Sequence, residues 1–130
     1  MFETEASLHS YDGGCHCGKI SFTAQLSSPI EEQVVNSCNC SICSINGYLL
    51  VYAQKENVTF HNAVDAIKEY RFGTLKYPHA FCPNCGSSVY ARGDGGEHDG
   101  ILALNARALK NVDISTLKIV PLDGKRINID

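Results

Sequence analysis

The sequence has no run of about 18 consecutive apolar residues, the length a membrane-spanning helix needs. Its N-terminal stretch, MFETEASLHSYDGG, has neither a basic leader nor an apolar core, so no secretory signal is expected. Basic clusters are missing too. Lys125-Arg126 is the only adjacent pair among 11 Lys and Arg, which face 14 Asp and Glu for a net charge of −3. A protein that grips phosphate backbones concentrates positive charge, so nucleic-acid binding is disfavoured. Tryptophan is absent, and the chain shows no internal repeat, no low-complexity tract, no linker and no long amphipathic helical pattern. These absences leave the expectation of one domain over residues 1–130, cytoplasmic or in a continuous compartment such as the nucleus, with no membrane or nucleic-acid partner.

What the chain does have is strand signal. Lys19–Leu26 (KISFTAQL) alternates, with Ile20, Phe22, Ala24 and Leu26 on one face and Ser21, Thr23 and Gln25 on the other. That period of two marks a strand with one buried face. Tyr48–Ala53 (YLLVYA) is a continuous apolar run suited to a central strand. Further strands are expected over Asn57–His61, Ile67–Phe72, Ser87–Arg92, Gly100–Ala106 and Leu117–Leu122. GDGGEHDG reads as a loop, and its Asp94–Gly100 portion is assigned no role. Helical signal is confined to a turn over Ser41–Asn46 and short turns within Ala108–Lys118, with Asp113 as an N-cap. The expected class is mostly β, with small antiparallel sheets, short helical turns and metal pins.

The seven cysteines fall in three groups: Cys15 and Cys17 in GGCHCGK, Cys38, Cys40 and Cys43 in SCNCSICSING, and Cys82 and Cys85 in FCPNCGSS. An odd count, a reducing compartment and spacings of two or three residues argue against a disulfide framework and for metal ligation. FCPNCGSS has the form of a zinc knuckle, in which Pro83 stiffens the turn and Gly86 lets backbone amides approach the sulfurs. A closed thiolate site takes four ligands. The pairs Cys15/Cys17 and Cys82/Cys85 are each half a site and complete one another, which leaves the middle trio by itself. The spacing also admits a zinc ribbon that joins Cys40/Cys43 to Cys82/Cys85 and strands Cys15, Cys17 and Cys38.

Three protein ligands with a fourth position for water or substrate are the pattern of a catalytic zinc. A thiolate-rich centre favours another thiol as its fourth ligand and holds it deprotonated. A small thiol or thiol adduct is then the expected substrate class. The contrasting reading is a second closed structural site, in which the trio recruits a carboxylate or one of His16, His79 and His98. His16 lies between two ligands, so its side chain is expected to point away from their metal.

Taken together, GGCHCGKISF, CNCSICSINGYLLVY and FCPNCGSSVYAR resemble the glutathione-dependent formaldehyde-activating enzyme family, whose domain centromere protein V shares. The resemblance runs in order from Gly13 to Asn105 and keeps every ligand cysteine. It implies a β-tent fold. It implies two zinc ions per chain, one structural at Cys15, Cys17, Cys82 and Cys85, and one catalytic at Cys38, Cys40 and Cys43. It implies carbon–sulfur lyase activity on glutathione adducts, with S-(hydroxymethyl)glutathione as the named substrate. Two features depart from the family pattern: Ser44, Ile45 and Asn46 follow the trio where members often carry a basic residue, and the chain ends PLDGKRINID rather than in a tail with His and Trp. Tyr48, Tyr77 and His79 are candidates for a general base. Asn46 and Gly47 are candidates for hydrogen bonds to substrate, set against the plain reading of Asn-Gly as a turn. The alternative from another class is a noncatalytic, zinc-stabilised protein-interaction module on the same scaffold; the intact trio favours the enzyme.

Overall fold

The computed structural model describes residues 8–62, 67–72 and 76–127. Residues 1–7 of the N-terminal stretch and 128–130 of PLDGKRINID lie outside that range. The strands are β1 (His9–Gly14), β2 (Ser21–Leu26), β3 (Val34–Cys38), β4 (Leu50–Gln54), β5 (Val58–Asn62), β6 (Lys68–Tyr70), β7 (His79–Phe81), β8 (Ser88–Arg92), β9 (Ile101–Asn105) and β10 (Lys118–Leu122). Two short α-helices accompany them, α1 (Ser41–Asn46) and α2 (Gly124–Ile127). The strands form a three-stranded sheet in the order β1-β2-β5 and a seven-stranded sheet in the order β10-β3-β4-β9-β8-β7-β6. The fold is mostly β, as the sequence predicts. Among the described residues no helix is long and apolar enough to cross a membrane.

The alternation of Lys19–Leu26 decides how the small sheet faces the large one. Ile20, Phe22, Ala24 and Leu26 are all at most 2% exposed. They meet Val35, Val51, Val89 and Leu104 of the large sheet in one core cluster, together with Ile30. Each of these side chains larger than alanine contributes roughly 1.5–3 kcal/mol by leaving water. The apolar run at Tyr48–Ala53 becomes β4, flanked on one side by β3 and on the other by β9. Within that strand Leu50, Val51 and Ala53 are buried while Tyr52 is not.

Three strands carry no sequence signal. β1 reads HSYDGG, without apolar alternation, and is a strand because it pairs with β2 along its whole length, from His9↔Leu26 to Gly14↔Ser21. In β3 the polar Asn36 and Ser37 interrupt the pattern, and in β7 three residues are too few to show one. The large sheet is antiparallel except at one edge, where β10 runs parallel to β3 with Leu122 opposite Cys38. A parallel pair joins residues far apart in sequence, so no hairpin turn announces it. The turn expected at Ser41–Asn46 is α1 itself. Asp113 caps the 3-10 turn Ile114–Thr116, where its side chain accepts from the Ser115 amide.

Candidate metal centre and active site

The turn between β1 and β2 carries Cys15 and Cys17, and the turn between β7 and β8 carries Cys82 and Cys85. The two turns meet, so that all four Sγ atoms lie within 4.8 Å of one another. Zinc–sulfur bonds of about 2.3 Å make a tetrahedron with edges of about 3.8 Å. The Cys15–Cys17 and Cys17–Cys82 Sγ separations are 3.6 and 3.7 Å, so the donor set fits zinc in both size and chemistry. Backbone amides already serve these sulfurs. Ile20 N–H donates to Cys15 Sγ at 3.2 Å. In the second turn Gly86 takes φ +80, where a side chain would strain the backbone, and its N–H donates to the Cys82 carbonyl at 2.7 Å. The Ser87 hydroxyl, followed by nearby amides, lowers the Cys85 thiol to about 5. Cys17 is also lowered, first by the Asn84 side chain and then by the Lys19 amide. Ionisation of Cys85 and Cys17 is thereby eased, whereas Cys82 is shifted the other way.

Cys38 ends β3, Cys40 caps α1 and Cys43 lies inside α1, and their three Sγ atoms also fall within 4.8 Å of one another. The grouping is therefore four and three; Cys40 and Cys43 sit with Cys38 and not with Cys82 and Cys85, which sets aside the ribbon arrangement. Among the described residues no histidine or carboxylate joins the trio within that distance. His16 is exposed and lines a surface cleft near the first cluster rather than either group of sulfurs. All three trio thiols are buried. Burial raises the Cys40 and Cys43 thiols, in contrast with Cys17 and Cys85. Three neighbouring buried thiols become thiolates only if a cation compensates their charge, and an all-sulfur donor set selects a soft one such as zinc.

Tyr48 and Leu50 pack against the trio, with Ile42, Ala103 and Leu122 around them. His79 Nδ1 lies 3.2 Å from the Tyr48 hydroxyl, and the two rings are tilted at a centroid distance of 5.2 Å. His79 is 7% exposed. Two clefts meet at this histidine. One, of about 170 Å³, reaches Cys38 and Cys43 and is walled by Tyr52, Tyr77, His98 and Leu122. The other, of about 470 Å³, runs along α1 past Ile45, Asn46 and Tyr48. Of the base candidates, Tyr48 and His79 thus stand beside the sulfurs. Tyr77 lines the smaller cleft with its hydroxyl 2.9 Å from His98 Nδ1.

The loop Asp94–Gly100, assigned no role from sequence, supplies His98 to the smaller cleft. Its signal was only that of a polar loop, and its folding back is a tertiary fact: Gly93 bridges to Asp99 and the Gly95 amide donates to the Asp99 carboxylate at 2.8 Å. Arg92, also on the cleft, is held bidentate by Glu69 at 2.5 and 3.0 Å, which lowers the Glu69 carboxyl. Asn46 lines the larger cleft, and both Asn46 and Gly47 already have partners within the protein. Asn46 Nδ2 donates to the Ile42 carbonyl and its Oδ1 accepts from the Ser88 hydroxyl, while the Gly47 carbonyl accepts from Arg107 Nε. They end the helix, as an Asn-Gly pair ordinarily does.

The profile of the glutathione-dependent formaldehyde-activating enzyme family matches residues 10–117, a stretch that contains all seven cysteines. The chain belongs to that family. The crystal structure of a Rhodobacter sphaeroides protein shares the fold, with a TM-score of 0.73 at 24% identity over 85% of this chain and 97% of that one. The formaldehyde-activating family is named for an enzyme, and both cysteine clusters of this member are able to bind metal. The family match stops short of β10 and α2, although Leu122 packs against the trio.

Burial lowers His79 to about 4 from an ordinary 6.5. Between those values the unfolded chain binds a proton that the folded chain refuses, so ∂ΔG/∂pH is positive there. The contribution to stability is complete above pH 6.5 and is lost as the pH falls toward 4. Accordingly, the His79 ring carbon proton in an NMR titration is expected to hold its shift from pH 8 down to 5.5. A midpoint near 6.5 would show that the ring is not enclosed as described.

Proposed function

We propose that the protein is a zinc-dependent carbon–sulfur lyase acting on small thiol adducts such as S-(hydroxymethyl)glutathione, with Cys15, Cys17, Cys82 and Cys85 holding a structural zinc and Cys38, Cys40 and Cys43 a catalytic one. The observation that carries this reading is the three-sulfur cluster, two of whose cysteines line a cleft together with His79, the partner of the Tyr48 hydroxyl. When bound at the trio, zinc supplies a Lewis acid for which sulfur is the preferred ligand.

The chain's own residues perform the remaining work. Apolar side chains, Leu50, Ala103 and Leu122 among them, exclude water from the sulfur end of the cleft. Desolvation raises the Tyr48 hydroxyl, so it stays protonated and is able to donate to the substrate's oxygen. His79, uncharged at neutral pH, accepts the hydroxyl proton of the adduct and releases it to solvent along the cleft. As that proton leaves, the carbon–oxygen bond becomes a carbonyl, the carbon–sulfur bond breaks and its electron pair stays on sulfur. The products are an aldehyde and a thiolate, which takes up a proton from solvent to leave as the thiol, with no net oxidation. The reverse direction adds the thiol to the aldehyde and returns the proton to oxygen.

Exchange NMR with 13C-formaldehyde and glutathione measures this directly. The zinc-loaded protein is expected to accelerate interconversion of free formaldehyde and its glutathione adduct. H79F is expected to lose about a hundredfold of that acceleration, a typical general acid–base contribution. No acceleration with glutathione, cysteine or a simple alkyl thiol would remove the lyase reading and leave the interaction module.

A further inference from the structure

We infer that the C-terminal segment Leu122–Lys125 is a clasp that holds the three-cysteine loop in its metal-binding geometry, with Asn39 as a positioning residue. The inference rests on the metal reading of the trio proposed above. Asn39 sits between Cys38 and Cys40 and is tied to the segment three times. Its backbone N–H donates to the Leu122 carbonyl at 3.0 Å. Its Nδ2 donates to the Asp123 carboxylate at 3.0 Å, and its Oδ1 accepts from the Lys125 N–H at 3.0 Å. One residue of the ligand loop thereby spans both sides of Gly124.

Gly124 is buried and lies directly on the sulfurs. A Cβ there would collide with Cys38 Sγ and stand 3.1 Å from Cys40 Cβ. Only a residue without a side chain lets the backbone pass this close. The approach is directed from upstream, where β10 lies parallel on β3 and Asn36 Nδ2 donates to the Val120 carbonyl at 3.2 Å. Leu122, opposite Cys38 in register, completes the wall of the cleft. The segment lies beyond residue 117, where the family match ends, so these contacts with the trio come from outside the matched stretch.

Groups that orient metal ligands from behind typically affect metal affinity by about 10–100-fold. The clasp supports the Cys38–Cys40 turn from the C-terminal side, alongside the weak Cys40 N–H···Cys38 Sγ contact at 3.5 Å and the Cys43 amide that serves Cys40. Its disruption should therefore weaken the trio's metal and leave the separate four-cysteine site unaffected.

The test is reconstitution of the full chain with Co(II), whose sulfur-to-metal absorption bands count and distinguish the two sites, followed by competition with a chelator. The wild type is expected to take up two ions. G124A and N39D are each expected to bind the second ion about 10–100-fold more weakly with the first ion retained; N39D, at an exposed position, is expected to melt near the wild-type temperature, while the buried collision lowers that of G124A. N39D sets two carboxylates against each other, and N39D/D123N reverses the polarity of the pair and is expected to restore the second ion. If G124A fails to fold, N39D and its D123N partner carry the test, since both positions are exposed. A wild type with two ions and variants that retain both with unchanged affinity overturn the clasp alone. A wild type that takes up one ion overturns the metal reading of the trio and the clasp with it.

Discussion

The C82S variant is expected to unfold the domain in zinc concentrations that saturate the wild type. Cys82 and Cys85 hang from β7 and β8 of the large sheet, whereas Cys15 and Cys17 hang from β1 and β2 of the small one. An ion held by all four joins the two sheets at the turn that carries each pair. Structural zinc commonly contributes about 10 kcal/mol or more to folding. The net stability of a domain this size is only about 5–15 kcal/mol, so losing one of four thiolates removes a share comparable to the whole. Circular dichroism and a thermal scan read the result. A cooperative transition near the wild-type temperature would mean that the apolar core, from Phe22 through Leu104, holds the sheets together without the pin.

The C40S variant is expected to behave in the opposite manner: folded, with one zinc instead of two, and slower by at least about a thousandfold in the glutathione-adduct exchange. Lewis-acid stabilisation is worth several kcal/mol, and each 1.36 kcal/mol is about a factor of ten in rate. Cys40 is 1% exposed, so the serine hydroxyl in its place costs about 1–3 kcal/mol if left unpaired. That is a loss in melting temperature, not a loss of the fold, because β3, β4 and the core cluster do not depend on it. Zinc stoichiometry measured with the exchange rate checks both halves. A C40S protein that keeps two zincs, or one that keeps the activity, would contradict the assignment.

How much of this was readable in advance depends on how local each signal is. The buried face of Lys19–Leu26 is a property of eight consecutive residues, and the structure buries each of Ile20, Phe22, Ala24 and Leu26. The division of the cysteines into four and three followed from ligand number, and the described geometry groups them so. The family motifs likewise lie in short stretches. What escaped was non-local. β1 is a strand through its partner β2, not through its own composition. The Tyr48–His79 contact joins residues 31 apart; each is a base candidate by itself, but nothing in the sequence pairs them. The polar loop around His98 looked like any solvated hairpin, yet it folds back onto the cleft. The tail was legible only as a departure from the family pattern. That Gly124 would press on Cys38 depends on a parallel pairing between strands more than eighty residues apart, for which a single sequence holds no periodic trace.

The most direct measurement is anomalous diffraction at the zinc edge from crystals grown under reducing, zinc-replete conditions, with and without a small thiol. The account predicts two zinc ions per chain. One is enclosed by Cys15, Cys17, Cys82 and Cys85; the other is bound by Cys38, Cys40 and Cys43 and accepts the added thiol's sulfur as its remaining ligand. A second ion whose fourth ligand is one of the protein's own side chains and does not yield to the thiol, or a trio that takes up no zinc at all, would contradict it.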